Sequence, residues 1–251
     1  MRRFKNSFVV TGPAWGVLLM MSLMGAGAHA ADGPLRVSVS PRELAFARYI
    51  ASHEDPDPLG KSGPVGVIVE ASLPDLYKSA LLCGVREQGK YGSNGFHILQ
   101  IAGDGTVAEE VIGRYFDLRE YTDALPLASV AITPDNYKFH FAGEVTTGGA
   151  VAYIYEVTPK KKRPGLITGR LWMDSGSGHE VLLTGTLPGI TNSGDWVNVV
   201  RETKMVNGRA YARVTHLAFQ LPHLGRAEVA ATEMILNPES IPESPTLGRA
   251  Q

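Results

Sequence analysis

The amino-acid sequence predicts an α+β fold dominated by one large, curved antiparallel sheet with about two helices lying across it. Apolar and polar residues alternate along most of the chain after residue 130, a period typical of strands with one buried face. Turn sequences separate these segments at short intervals, so neighbouring strands are expected to pair as hairpins. Only the segments near residues 41–52 and 106–115 show helical spacing instead.

The first 30 residues predict a cleavable signal peptide. Met1–Lys5 contains three basic residues, residues 17–27 are small or apolar, and Ala28–Ala30 matches a cleavage signature. The apolar stretch is shorter than the roughly 20 residues that a membrane-spanning helix needs, which argues against an uncleaved anchor. Because Ala31 stands where a lipoprotein has an acylated cysteine, the sequence predicts a released periplasmic protein that is not a lipoprotein.

The predicted mature chain has 221 residues, which suits a single α+β domain over 31–236 and a loose tail over 237–251. It carries 21 lysines and arginines against 25 acidic residues, so nothing in its charge favours nucleic acid. Cys83 is the only cysteine and lies in an apolar run, which predicts a buried, unreactive thiol without an internal disulfide.

Two helices are predicted from their end signals. Pro41 to about Ser52 forms the first, because Ser40 can cap it and Glu43 complements its dipole. Thr106 and Glu109 have the spacing of a capping box at the start of the second. The apolar residues that follow share one face of that helix, which is expected to lie across the sheet: Val107, Val111, Ile112 and Tyr115.

The strands are predicted from alternation and from turn residues. Asn207–Gly208 is the strongest hairpin signal, and Thr147–Gly149 and Ser175–Gly178 are further turns. The predicted strands cover residues 65–71, 76–85, 96–102, 137–141, 151–157, 166–174, 180–187, 196–205, 210–220 and 226–236.

Several motifs resemble an uncharacterised group of exported bacterial proteins. They include Val69–Pro74, Gly103–Val107, Ile132–Phe139, Tyr155–Leu166, Gly169–Asp174 and Gly225–Glu228. The architecture of that group is similar to the LolA-type periplasmic lipoprotein-sorting carriers. The resemblance implies a half-open antiparallel barrel (LolA/LolB-like) whose concave, apolar face is covered by helices and accepts acyl chains. It transfers no functional residue to this chain.

One face of the predicted hairpin over 137–157 is aromatic. Core packing against the helices is one interpretation, and the lining of a cavity for an apolar ligand is the other. The candidate ligand-binding residues are Tyr137, Phe139, Phe141, Tyr153 and Tyr155, which Trp172 is expected to join from the next strand.

A basic turn follows this hairpin, formed by Lys160, Lys161, Lys162 and Arg163. A solvated turn is the simpler interpretation. The alternative is contact with anionic lipid headgroups or with an acidic envelope protein, worth about 1 kcal/mol per basic residue near such a surface.

The sequence predicts no catalytic residue, no metal site and no cofactor. The six histidines after residue 30 form no metal-binding pair, and the lone cysteine supplies no second ligand. Ser175–Gly178 lacks the surroundings of a nucleophilic serine, and the adjacent Glu109 and Glu110 point in different directions on a helix.

These observations favour a soluble, non-catalytic periplasmic protein that binds or carries a lipid, an acylated protein or another apolar ligand. The first alternative is an envelope interaction or regulatory module of the same fold with a filled cavity. A hydrolase with dispersed catalytic residues is the remaining alternative.

Overall fold

The alternating segments of the sequence form ten strands, and all ten join one sheet. The computed structural model describes residues 39–52, 59, 63–88, 94–147, 149–188, 196–206 and 209–236. The predicted signal peptide, the predicted tail and the Asn207–Gly208 turn lie outside these residues. The strands are β1 Val65–Leu73, β2 Lys78–Gln88, β3 Asn94–Gly103, β4 Tyr137–Thr147, β5 Ala150–Pro159, β6 Thr168–Asp174, β7 Glu180–Pro188, β8 Trp196–Val206, β9 Arg209–Leu221 and β10 Gly225–Ile235.

The strand order is β3-β2-β1-β10-β9-β8-β7-β6-β5-β4, and each neighbouring pair is antiparallel. Strands that follow one another in the chain are neighbours in the sheet, with one exception: β3 and β4 are consecutive in the chain but lie at opposite ends of the sheet. In addition, the first strand, β1, pairs with the last, β10. The sheet is therefore open. Register shifts between Cys83 and Gly84 and between Phe141 and Gly143 mark bulges, which bend and twist their strands. The predicted fold class, an α+β fold with one large antiparallel sheet, is confirmed.

In the described residues, three helices and a short 3₁₀ turn accompany the sheet. They are α1 Pro41–Ser52, the turn Pro74–Leu76, α2 Gly113–Asp123 and α3 Leu127–Val130, and a π-helical segment, Val107–Ile112, runs directly into α2. The first helix has the predicted bounds, and the short α3 was not predicted. Val107, Val111, Ile112 and Tyr115 are buried as predicted.

The two long helices begin with different caps. At α1, the Ser40 backbone N–H donates to the Glu43 carboxylate at 2.9 Å, and the Glu43 N–H donates to Ser40 Oγ at 3.2 Å, which is a capping box. The capping box predicted at Thr106 is wrong, because Thr106 makes no side-chain cap. Asp104 caps the helix instead, because its Oδ1 accepts hydrogen bonds from the backbone N–H groups of Thr106 and Val107.

The two faces of the sheet differ in what covers them. Paired residues on one face form a row across all ten strands: Ile101, Leu82, Val69, Ala231, Thr215, Arg201, Leu183, Leu171, Tyr155 and Phe141. We call this the helix face, because α1 and the π-helical segment pack on it and share its core. The opposite side, the outer face, carries exposed residues such as Glu70, Arg170 and His216.

Candidate functional site

The aromatic face exists as predicted on β4 and β5. In the antiparallel register, Phe139 pairs with Val157 and Phe141 pairs with Tyr155, so these side chains lie on the same side. The Phe141 ring centroid is 5.7 Å from that of Tyr155 and 6.3 Å from that of Tyr153. The rings therefore form one contiguous cluster on the helix face.

Helix α1 covers this cluster. The Phe46 ring lies 5.0 Å from Phe139 and 5.4 Å from Tyr155, measured between centroids. At the border, the Arg42 guanidinium sits 4.6 Å above the ring of Phe141. These contacts are those of a packed core, the simpler of the two interpretations. The assignment of a ligand to these residues stays a prediction.

Two tyrosines tie this region together through their hydroxyl groups. Tyr137 is 1 % exposed, and its hydroxyl accepts the backbone N–H of Ile167 at 3.0 Å. The Tyr49 hydroxyl donates to the carbonyl of Ile132 at 3.0 Å. Burial raises the pKa of Tyr137 to about 12, although the bond from Ile167 acts in the opposite direction. Burial also raises the pKa of Tyr49 well above its ordinary value. Both side chains are therefore neutral at physiological pH.

Trp172 does not join the aromatic face, and that expectation is wrong. Met173 pairs with Tyr153 and Leu171 with Tyr155, so those two side chains occupy the helix face. Trp172 alternates with them and pairs with Ile154, which places it on the outer face. Within β6, Trp172 shares the outer side with the polar Arg170 and Asp174, so the alternation of the strand itself separates it from Leu171 and Met173.

The basic turn divides into two parts. Lys160, Lys161 and Lys162 are exposed. Arg163 is also exposed, but it donates to Asn136 Oδ1 at 2.8 Å and to the Ser129 carbonyl at 3.3 Å. Asn136 in turn donates to the carbonyls of Ala128 and Ala131, in and just after α3. Arg163 therefore holds the loop before β4, and the three lysines remain available for contact with a partner.

The structure offers a ligand a groove on the outer face. Its volume is about 780 Å³, and it crosses β2, β1, β10, β9 and β8 and reaches the end of β3. Sequence reasoning missed it, because it depends on the register of five strands. Its outer-face side chains are Glu70, Ser72, Ser79, Leu81, Asn198, Val200, His216, Ala218, Arg226, Glu228 and Ala230.

Small side chains create this groove. Ser72 pairs with Ser79 on one side and with Glu228 on the other, and Ala218 follows Glu228 in the same row. In the next row, Ala230 lies between Glu70 and His216. Serines and alanines in the middle leave space that larger neighbours would fill.

Polar groups border the groove. Arg226 and Glu228 form an ion pair at 2.7 Å, and both side chains are about half exposed. Glu70 is a second, exposed carboxylate on the neighbouring strand. The border thus carries two acids against one arginine, with His216 and Asn198 as further polar groups. The groove combines a small, partly apolar floor with an acidic rim.

A cluster of charged side chains lies beneath α2 on the helix face. The Glu233 carboxylate is 2.8 Å from Arg119, 3.6 Å from Arg86 and 3.9 Å from Arg213. Burial is the largest single influence and acts to lower the pKa of Arg119, but the charge of Glu233, the neighbouring Tyr115 and the hydrogen bonds to both together raise that pKa. These residues are far apart in sequence, and no local sequence pattern predicted that they would form a cluster.

The residue types considered for chemistry have the following surroundings in the described part of the chain. None of their histidine, cysteine and acidic side chains form a group of three that could hold a metal ion. Ser177 donates to Asp174 Oδ1 at 2.7 Å, as expected of a side chain that stabilises a hairpin turn. Glu109 and Glu110 are exposed, and Cys83 is half-buried rather than buried as predicted.

No helix in the described part of the chain has the length and hydropathy to span a membrane.

Comparison with solved structures finds likenesses at low sequence identity. A LolA superfamily protein, NE2245 from Nitrosomonas europaea, is 11% identical, covers 82% of this chain and 96% of its own, and gives a TM-score of 0.34. A DUF1329 family protein from Desulfovibrio piger is 10% identical over 78% and 92%, with a TM-score of 0.34. The MucA/MucB complex of Pseudomonas aeruginosa is 9% identical over 75% and 92%, with a TM-score of 0.23. No family model and no curated protein matches the chain.

Proposed function

We propose that this chain is a periplasmic, non-catalytic binding protein that takes an apolar ligand, such as the acyl chain of a lipid or of an acylated protein. The observation that carries the proposal is the groove of about 780 Å³ on the outer face. That volume lies within the range of about 300–1,000 Å³ that is usual for small-molecule sites. The predicted signal peptide is the basis for the periplasmic location in this proposal.

The lining of the groove supports an apolar ligand over a reaction. Leu81, Val200, Ala218 and Ala230 provide apolar surface on four different strands. The Glu228 carboxylate is engaged by Arg226 at 2.7 Å. An extended apolar chain would displace water from this surface. Each Å² of apolar surface removed from water contributes roughly 25 cal/mol to the free energy of binding.

The rim favours a particular head group. Glu70 and Glu228 outnumber the single arginine, so a cationic or neutral head is better matched than a carboxylate. We expect dodecylamine to compete for the groove more strongly than lauric acid.

The test uses N-phenyl-1-naphthylamine, a neutral apolar fluorophore, with the mature protein. We expect the wild-type protein to bind it and Ala230→Trp, which fills the groove between Glu70 and His216, to lose at least tenfold in affinity. Thr168→Trp is the matched control, because Thr168 is exposed on the sheet outside the groove. Absence of probe binding, or equal binding by the Ala230→Trp variant, would contradict the proposal. Native mass spectrometry of the protein purified from its own envelope would identify a retained ligand.

An interaction module is the second candidate, favoured by the exposed Lys160, Lys161 and Lys162. Anionic lipid headgroups or an acidic envelope protein would be its counterpart. Replacing the three lysines by alanine while keeping Arg163 should abolish binding to vesicles that contain phosphatidylglycerol, or the recovery of an acidic partner. Unchanged binding in both assays would rule out this role for the turn. Probe binding in the groove should not change in this variant.

A further inference from the structure

One end of the sheet exposes aromatic and aliphatic side chains. Because neighbouring strands are antiparallel, the end of β1, the start of β10, the end of β9 and the start of β8 meet there. Leu76, in the turn between β1 and β2, is 45 % exposed, and Tyr77 beside it is 97 % exposed. Trp196, the first residue of β8, is 59 % exposed. We call these three residues the aromatic end.

The two turns at this end contain strained backbone. In the described residues, the non-glycine residues with positive φ are Tyr77, at 53°, and His223, at 69°, in the turn between β9 and β10. Such values favour glycine, and other residues that adopt them are concentrated at functional sites. The turns lie against each other, since a Cβ built at Gly225 would be 3.2 Å from Asp75 Oδ2. Core packing does not explain the conformation of Tyr77, because its side chain is almost wholly in water.

The same end of the sheet is basic. β7 and β6 separate β8 from β5, so β5 also ends there. The turn that follows β5 carries four exposed basic side chains: Lys160, Lys161, Lys162 and Arg163. The exposed acids of the other described turns at this end, Asp75 and Asp135, are fewer. Lys78 is paired with Asp104 at 3.1 Å, so these two add no net charge. Positive charge therefore lies on the same end of the sheet as the exposed rings.

We infer that this end of the sheet docks on an anionic lipid bilayer. Tyr77 and Trp196 enter the interfacial region with Leu76, because tyrosine and tryptophan combine an apolar ring with a polar group and prefer that region. The lysines of the basic turn contact the anionic headgroups. The inference rests on the lipid contact proposed above for that turn, and it adds the apolar half of a membrane-binding surface. The two halves are spread along the end of seven neighbouring strands, where a broad surface can meet both at once.

Trp196 can report on docking directly. The predicted mature chain has two tryptophans, so Trp172→Phe leaves Trp196 as the single one. We expect vesicles of phosphatidylethanolamine and phosphatidylglycerol to shift its fluorescence emission to shorter wavelength. Vesicles whose acyl chains are brominated near the headgroup should quench it. Absence of both effects would overturn the proposal.

Variants of the exposed side chains locate the contact in a vesicle co-sedimentation assay. Leu76→Ser combined with Tyr77→Ser should lower the affinity for the same vesicles about tenfold, because the apolar surface that leaves water on docking is lost. Tyr211→Ser combined with Met234→Ser is the matched control, because both side chains are exposed at the opposite end of the sheet. The control should bind normally. An equal loss in both variants would place the contact elsewhere and overturn the assignment.

Tyr77→Gly separates docking from folding. Glycine accepts the positive φ of this position without strain, so the free energy of unfolding should not fall. Vesicle affinity should fall about threefold, because the ring no longer enters the interface. Unchanged affinity would show that the Tyr77 ring takes no part in docking and would overturn its role.

Two further variants separate this inference from the proposals above. Replacing Lys160, Lys161 and Lys162 by alanine should lower vesicle affinity and its dependence on salt. If that variant loses affinity and Leu76→Ser with Tyr77→Ser does not, the basic turn acts alone and the aromatic end has no role. Ala230→Trp, which fills the groove, should bind vesicles normally, so failure of the groove proposal does not decide this one. An envelope protein that is retained through the aromatic end, without vesicle binding, would overturn the lipid assignment.

Discussion

The Arg119 guanidinium lies 2.8 Å from the carboxylate of Glu233, which joins helix α2 to the last strand of the sheet. Glu233 is 7 % exposed, so both charges have lost much of their hydration. A buried pair of this kind is costly to form, but it is still more costly to break, because removal of one partner leaves the other charge desolvated.

We expect Glu233→Gln to lower the free energy of unfolding by about 3 kcal/mol, since the amide cannot compensate the charge of Arg119. Urea denaturation followed by circular dichroism measures this loss. Glu228→Gln, on the same strand but about half exposed in its ion pair with Arg226, should cost no more than about 0.5 kcal/mol. Equal losses in the two variants would show that burial does not strengthen the Glu233 contact.

Gly178 should resist substitution because α1 passes directly over it. Its φ is +76°, and a Cβ built there would lie 2.6 Å from the Ala45 carbonyl oxygen and 2.8 Å from the Tyr49 nitrogen. We expect Gly178→Ala to cost about 2 kcal/mol in the free energy of unfolding, from backbone strain and displacement of α1. Gly176→Ala is the control in the same turn, because its Cβ would meet only Asp174 Oδ1, at 3.5 Å. A neutral Gly178→Ala would mean that α1 is not held against this turn.

The sequence predicted the parts of this fold that depend on local pattern. Alternation gave the strands of the sheet, and the paired aromatic rings of β4 and β5 followed from the same period. Trp172 was expected to join these rings, although the same period groups it with the polar Arg170 and Asp174 and opposite Leu171 and Met173. The cap before the π-helical segment differs from the prediction because Asp104 and Thr106 are both capping residue types, and only the folded structure shows which one accepts the hydrogen bonds.

The groove and the charged cluster could not be predicted, for a different reason. Ser72, Ala218 and Ala230 become neighbours only once β1, β10 and β9 are paired in register. Arg119 and Glu233 meet only after α2 has packed on the helix face. Each depends on contacts between distant segments, about which a hydrophobic period carries no information.

The cap at Asp104 provides a direct test against the sequence prediction. Asp104→Ala should lower the melting temperature, because the N–H groups of Thr106 and Val107 lose their acceptor, whereas Thr106→Ala should leave it nearly unchanged. The hydrogen bond from Lys78 holds the pKa of Asp104 below its ordinary value. Its stabilising effect is therefore complete above about pH 4 and is lost as the pH falls through the lowered pKa. Thermal melts at pH 7 and pH 3 measure this, and a larger effect of Thr106→Ala would reverse the assignment of the cap.

The Tyr137 hydroxyl should make its own contribution to the fall of stability at alkaline pH. At neutral pH, Tyr137→Phe leaves the buried N–H of Ile167 without its acceptor and should cost about 1–2 kcal/mol. Above pH 10 the unfolded wild-type chain gains a tyrosinate there, whereas the folded chain keeps the phenol protonated up to a pKa of about 12. Wild-type stability therefore falls between pH 10 and 12 by a contribution that the variant lacks, and the difference between the two proteins should narrow. Urea denaturation at pH 8, 9.5 and 11 measures this difference, with the exposed Tyr211→Phe as the control at pH 8. A difference that stays constant with pH would show that folding does not raise the pKa of Tyr137.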